Sequence, residues 1–211
     1  TDFEWTVPAG LQSGIYAAHV TTDEADDHVF FFVRPPEGKS SSAVAFLAPT
    51  ASYLAYANDR MTGGPPQLFS NQDPTINPDV YAYCRANGLL STYDLHEDGS
   101  GVCYSSRLRP TVNMRPGFHH ADLGCPHQLS ADLHLIDWLE EKEFAHDVLT
   151  DEILHLEGID LLRPYRVIVT GTHPEYWSLE MLDALKLYLD EGGRLMYMGG
   201  NGFYWVTSFA N

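Results

Sequence analysis

Residues 173–175 read His173-Pro174-Glu175, directly after Thr170-Gly171-Thr172. An imidazole and a carboxylate two positions apart, at a turn between a strand and a helix, can both face one crevice. The same residues would also make an ordinary helix start, with proline in the first turn and glutamate favoured by the helix dipole. Tyr53 and Tyr93 are two of 12 tyrosines, and either alone reads as core or surface. Taken together with Glu175 they suggest more. Two phenolates and a carboxylate are hard, anionic oxygen donors, which suit a trivalent cation such as ferric iron better than zinc. Ionising a phenol of pKa ~10 at neutral pH takes about 4 kcal/mol, which a strong Lewis acid supplies.

Other constellations compete. His119, His120, Cys125 and His127 form a loose cluster in a long stretch, 97–130, of little periodicity. Their spacing matches no standard zinc finger, so a solvent-lined loop stands beside zinc as a reading. The turn Gly171-Thr172-His173-Pro174-Glu175 occupies the place of a nucleophile elbow but holds no Ser or Cys, which argues against an acyl-enzyme. Gly199-Gly200-Asn201-Gly202 lacks the Lys-Ser/Thr of a phosphate loop.

The elements that must position these groups alternate. Strand-like segments fall at 43–48, 89–95, 147–149, 166–170 and 194–198, and helix-like ones at 79–86, from 130, at 151–157 and at 178–190. Leu179, Leu182, Leu185 and Leu189 keep helical spacing until Gly192-Gly193. The pattern predicts an α/β fold: a mainly parallel, doubly wound sheet of five strands with helices on both faces, flavodoxin-like or class I glutamine amidotransferase-like. Ligands of such sheets lie beyond the carboxyl ends of the strands. That rule brings 49–58, Tyr93 to His96, 171–177 and 199–205 to one edge. A β element precedes the sheet, with 15–20 and 28–33 pairing across the acidic turn 23–27. Pro35-Pro36-Glu37-Gly38 and Ser40-Ser41-Ser42 read as a linker, dividing the chain into 1–42 and an α/β metal-binding domain over 43–211. Residues 62–79, rich in Pro, Gly and Asn, read as loop.

Composition narrows the partners. Among 211 residues, 12 basic and 29 acidic side chains give a net charge of −17. Such a surface repels phosphate, which excludes nucleic acid and anionic membranes as partners. Hydrophobic residues at 44% exclude wholesale disorder, and no apolar run approaches the ~18 residues of a membrane helix. Cys84, Cys103 and Cys125 show no C-x-x-C spacing, which suggests thiols in a reducing, cytoplasmic compartment. The chain begins at Thr1 without Met and stops soon after a Gly-rich loop, so a piece of a longer polypeptide is expected, with the α/β domain incomplete at its C-terminus.

The runs Leu47-Ala48-Pro49-Thr50-Ala51-Ser52-Tyr53-Leu54-Ala55-Tyr56-Ala57-Asn58, Thr170-Gly171-Thr172-His173-Pro174-Glu175-Tyr176-Trp177 and Gly199-Gly200-Asn201-Gly202-Phe203-Tyr204-Trp205 together resemble the N,N-dimethylformamidase large-subunit family, and the likeness covers nearly the whole chain. The resemblance implies hydrolysis of simple formamides to formate and an amine. It implies a glutamine-amidotransferase-like domain with one iron held by Tyr53, Tyr93 and Glu175, with His173 beside the metal. It also implies a small partner subunit, further copies of the large subunit, and residues completing the pocket beyond Asn211, this chain being a central portion. Within that reading His173 orients Glu175 or transfers a proton, Asn201 bonds the substrate oxygen or a water, and Phe203, Tyr204 and Trp205 shape an apolar pocket or pack on a neighbouring domain. The alternative is a non-catalytic α/β interaction or assembly module of a larger complex.

Overall fold

The computed structural model describes residues 4–59, 78–116, 118–120 and 125–210. Strands β1 (Gly14–Thr21) and β2 (Asp26–Val33) form an antiparallel hairpin with Ile15 opposite Phe32. Strand β3 (Val44–Ala48) leads into the short helix α1 (Thr50–Ala55). Helix α2 (Pro78–Ala86) is followed by a long irregular stretch with one 3-10 turn, Val112–Met114, and the small pair β4 (His119–His120) and β5 (Cys125–Pro126). Then come α3 (Leu129–Glu141), β6 (Asp147–Thr150), α4 (Asp151–Glu157), α5 (Ile159–Leu162) and β7 (Val167–Thr170). Strand β8 (Tyr176–Ser178), α6 (Leu179–Asp190), β9 (Arg194–Met196) and β10 (Trp205–Thr207) complete the order.

Four strands make the central sheet, in the order β6-β3-β7-β9, every pair parallel. Successive side chains of a strand leave on opposite faces, and here both faces are covered. Ala45, Leu47, Leu149 and Ile168 pack with Leu154, Leu162, Met181 and Leu185 of α4, α5 and α6. Phe46, Ala48, Val148 and Val169 pack with Leu129, Ile136 and Leu139 of α3, and with Ile15, Phe30 and Phe32 of the hairpin. Burial on both sides explains why these strands read as continuous apolar runs. The hairpin is also pinned to the sheet by Ser13, whose Oγ accepts the Val148 N–H at 2.8 Å and donates to the Val33 carbonyl at 2.9 Å.

The strand expected over 89–95 does not form. After α2 the chain turns at Gly88, φ +60°, and the Asp94 carboxylate takes both the Ser91 N–H at 2.7 Å and the Ser91 hydroxyl at 3.0 Å. That local side-chain bonding curls the segment and competes with a strand ladder. The loop read over 62–79 lies outside the described residues except for its last two positions, which open α2. Among the described residues no helix is long and apolar enough to cross a membrane. The three cysteines form no disulfide.

Gly171, just past β7, is where three elements meet. A Cβ there would lie 2.5 Å from Asp132 Oδ2 and 2.5 Å from Pro49 Cδ. Glycine thus lets the 171–175 loop drop against the start of α1 and the first turn of α3.

Candidate active site

Strand β3 ends at Ala48, and Pro49 turns the chain into α1. The Asp151 carboxylate caps this helix from another element, taking the Ala51 N–H at 2.9 Å. Tyr53 lies on the inner side of α1, 3% exposed, among Phe46, Met114, Leu129 and Val148. Its hydroxyl donates to the Asp132 carboxylate, which also accepts the Thr172 N–H at 2.5 Å. Tyr53 therefore does not join Glu175, against the expectation that it would be a metal ligand. The reason is its place along the helix. At 1.5 Å rise per residue, Tyr56 stands about one turn further from the strand, at the C-cap, where the helix stops and the edge opens.

Tyr56 is the phenol that meets Glu175. Its hydroxyl donates to Glu175 Oε2 at 2.6 Å and accepts from the Tyr93 hydroxyl at 2.7 Å. The Tyr93 and Tyr176 hydroxyls lie 2.8 Å apart. His173 Nε2 stands 3.0 Å from the same Glu175 oxygen and 3.3 Å from the Tyr56 hydroxyl. The Tyr56 and Tyr93 rings stack with centroids 4.4 Å apart, and the His127 ring packs 5.4 Å from Tyr56 and 5.7 Å from His173. The cluster runs from Glu175, 3% exposed, out to Tyr93, 38% exposed, so it is buried at its base and open at its rim.

Backbone anchors hold each contributor. The buried Ser52 hydroxyl accepts the N–H groups of Glu175 at 2.9 Å and Tyr176 at 3.2 Å, fixing the carboxylate's loop to α1. Thr92 donates both its N–H and its hydroxyl to the Ala55 carbonyl, at 3.2 and 2.8 Å, which sets Tyr93 over the end of α1. The Glu175 carbonyl accepts from Tyr204 and Trp205, at 3.1 and 3.0 Å, and the Gly200 N–H meets Thr172 at 3.2 Å.

Those last contacts bring the 199–205 loop beside the cluster without joining it. Asn201, exposed with φ 51°, makes no side-chain hydrogen bond among the described residues, so the geometry does not bring it to Glu175. Phe203 packs on Trp177 at 4.7 Å, and Tyr204 and Trp205 stay exposed. Of the loose cluster, His127 joins the phenols. His119 and Cys125 sit in the β4–β5 pair, opposite Pro126 and His120.

Burial, then the hydrogen bond to Glu175, pushes the Tyr56 phenol far above its ordinary range; burial, then the bonds to Tyr176 and Tyr56, does the same to Tyr93. Without a cation these phenols therefore keep their protons. Two carboxyls beneath the cluster are also pushed up by burial, Asp132 and Asp151. For Asp151 the folded value lies above the unfolded ~3.9. Its stabilising contribution is full below that pH and is lost as pH rises through the folded value. Asp151→Asn keeps an acceptor for the Ala51 N–H and removes the buried charge. Urea titrations are expected to show the variant gaining on the wild type as pH rises above about 4. A difference that stays constant with pH would contradict the buried-acid account.

The donor set tests well against a hard cation. Six-coordinate oxygen ligands at ~2.0–2.1 Å stand about 2.9 Å apart at neighbouring positions. The Tyr93–Tyr56 and Tyr56–Glu175 oxygens stand 2.7 and 2.6 Å apart. Both of these pairs lie within a few tenths of an ångström of that spacing. Tyr56 and Tyr176 both lie inside the motif runs quoted above, but no residue spacing distinguishes Tyr56 from Tyr53. Ser52 acts through backbone groups, which sequence does not display.

A family model described as N,N-dimethylformamidase beta subunit-like, C-terminal, matches residues 1–211. The N,N-dimethylformamidase beta subunit of Paracoccus aminophilus is 44% identical over 211 residues, covering 98% of this chain and 28% of that protein. The N,N-dimethylformamidase beta subunit of an Alcaligenes species is 43% identical over 210 residues, covering 98% of this chain and 27% of that protein. The chain thus spans under a third of the length of these curated relatives. A match along every residue, with such identities, settles the kinship: the chain belongs to the N,N-dimethylformamidase beta subunit-like family.

Proposed function

We propose that the complete protein is an amide hydrolase that cleaves N,N-dimethylformamide and related small formamides to formate and an amine, and that this chain supplies its ferric-iron centre through Tyr56, Tyr93 and Glu175. The observation that carries the reading is the meeting of three hydroxyls, one carboxylate oxygen and one imidazole nitrogen at the carboxyl edge of a parallel sheet. The names of the two relatives support the substrate. Those names also specify beta subunits, which supports assembly with a second kind of subunit. The strand order, with β3 inside and β6 outside it, agrees with a flavodoxin-like or glutamine-amidotransferase-like sheet, and we read the fold that way.

Bound there, the iron would act as a Lewis acid towards the amide carbonyl or a water. The chain's own residues do the rest. Glu175 and the two phenols would supply the iron's oxygen ligands, with Ser52 and the Thr92–Ala55 bonds holding the loops of Glu175 and Tyr93 against α1. His173 Nε2 holds the Glu175 carboxylate at 3.0 Å and is placed to pass a proton towards the departing amine, which amide cleavage requires. The strongly acidic surface suits an uncharged substrate.

The test is metal removal from the complete, partner-bound protein. One iron per chain, a visible phenolate-to-iron absorption, loss of colour and turnover on chelation, and recovery of both with ferric iron are expected. A colourless protein with full ferric occupancy would refute phenolate ligation. Undiminished turnover after complete iron removal would refute the role of the metal.

A further inference from the structure

Three metal-ligating side chains that the phenol cluster does not use meet near the turn of the β1–β2 hairpin. His19 and His28 are directly opposite in the register. Asp26 lies two residues from His28 on the same strand, so all three side chains leave the sheet on one face. The two imidazoles stack with centroids 4.5 Å apart and planes 8° from parallel. Asp26 Oδ2 lies 2.9 Å from His19 Nε2. One ligand atom from each residue lies within 4.8 Å of the other two.

Chemistry and surroundings both suit a divalent transition metal. Two imidazole nitrogens with one carboxylate oxygen form a borderline donor set that fits zinc, nickel or copper. A tetrahedral ion with ~2.0–2.1 Å bonds places its donors about 3.4 Å apart. The His19–Asp26 approach of 2.9 Å is already close to that spacing. His28 reaches it by turning an exposed ring. An ordinary His–Asp ion pair accounts for His19 and Asp26 but gives no part to His28. The adjoining turn adds Asp23, Glu24 and Asp27 to Asp26. Arg115 pairs with Asp27 at 2.7 Å, and exposed Asp23 and Glu24 still draw cations to the turn.

We propose that His19, Asp26 and His28 form a surface site for one divalent transition-metal ion, zinc being the best match, with water completing its coordination. The ion ties β1 to β2 at the end of a two-stranded ribbon, an element of marginal stability by itself. Binding to the folded form alone stabilises that form by mass action.

The test is a titration of the chelator-treated complete protein with zinc, followed by calorimetry, and with cobalt as a visible probe. Wild type is expected to bind one more zinc than the His19→Ala/His28→Ala double variant. Loss of His28 alone is expected to weaken that zinc by more than the ~10–100-fold typical of losing an outer-shell partner. Glu175→Gln is expected to leave it unchanged, which separates this site from the phenol cluster. All three side chains are exposed, so the variants are expected to fold, as circular dichroism would verify. Equal zinc stoichiometry and affinity in wild type and double variant would overturn the proposal. So would a zinc lost with His19 but untouched by His28→Ala.

Discussion

Replacing Glu175 by Gln is expected to cut formamide turnover by the complete protein by ~10³-fold or more, with most of the iron lost. The expectation follows from how much converges on one oxygen. Glu175 Oε2 accepts the Tyr56 hydroxyl at 2.6 Å and faces His173 Nε2 at 3.0 Å. Glutamine keeps the shape and an acceptor but removes the negative charge that a trivalent ion needs. Lewis-acid stabilisation is worth several kcal/mol in the transition state, and ~4 kcal/mol corresponds to about 10³ in rate. Folding is expected to survive, because the residue's backbone bonds to Ser52, Tyr204 and Trp205 do not involve the carboxylate. Iron content and kcat in the purified variant decide the matter. Iron loading and turnover within tenfold of wild type would remove Glu175 from the centre.

A paired substitution separates the two tyrosines of α1. Tyr56→Phe is expected to halve the phenolate-to-iron absorption and to lower turnover by ~10²-fold or more, while the thermal midpoint moves little. The outer-partner range of ~10–100-fold sets the lower bound, since a ligand matters more than its support. Tyr53→Phe is expected to do the reverse. It leaves colour and turnover in place but strands the buried Asp132 carboxylate without its phenol donor, costing ~1–3 kcal/mol. Colour lost with Tyr53 and kept with Tyr56 would restore Tyr53 as the ligand.

The limits of sequence reading follow from the same pair. The runs at 47–58 and 170–177 could be found because strand ends in an open α/β sheet share one edge. Apolar runs for β3, β6 and β7 and leucine spacing for α6 were equally visible. Tyr53 and Tyr56 were not separable, because the length of α1 decides between them. The surroundings of α1 are long-range matters, with Asp151 at its start and Thr92 and Asn113 donating to the Ala55 and Tyr56 carbonyls at its end. The segment 89–95 carries strand-like residues, yet the carboxylate of its penultimate residue, Asp94, curls it. His127 reaches the phenols only through the placement of α3, and no local pattern announces that.

The hydroxyl-to-carboxylate chain also acts as a clasp on the polypeptide. Tyr56 and Glu175 are 119 residues apart, and Tyr56 and Tyr93 are 37 apart, so nearly every element between β3 and β8 lies inside a loop that these side chains close. Closing a flexible loop of that larger size costs about 4 kcal/mol of chain entropy. Because nothing short of the assembled sheet brings these ends together, the ligand set cannot form early in folding. An ion held there would bind only a chain already threaded into its final topology. Its departure would loosen first the most exposed arm, the turn that carries Tyr93. A centre held there would thus report whether these ends have met, and it would draw on long-range order that no single segment of the chain possesses.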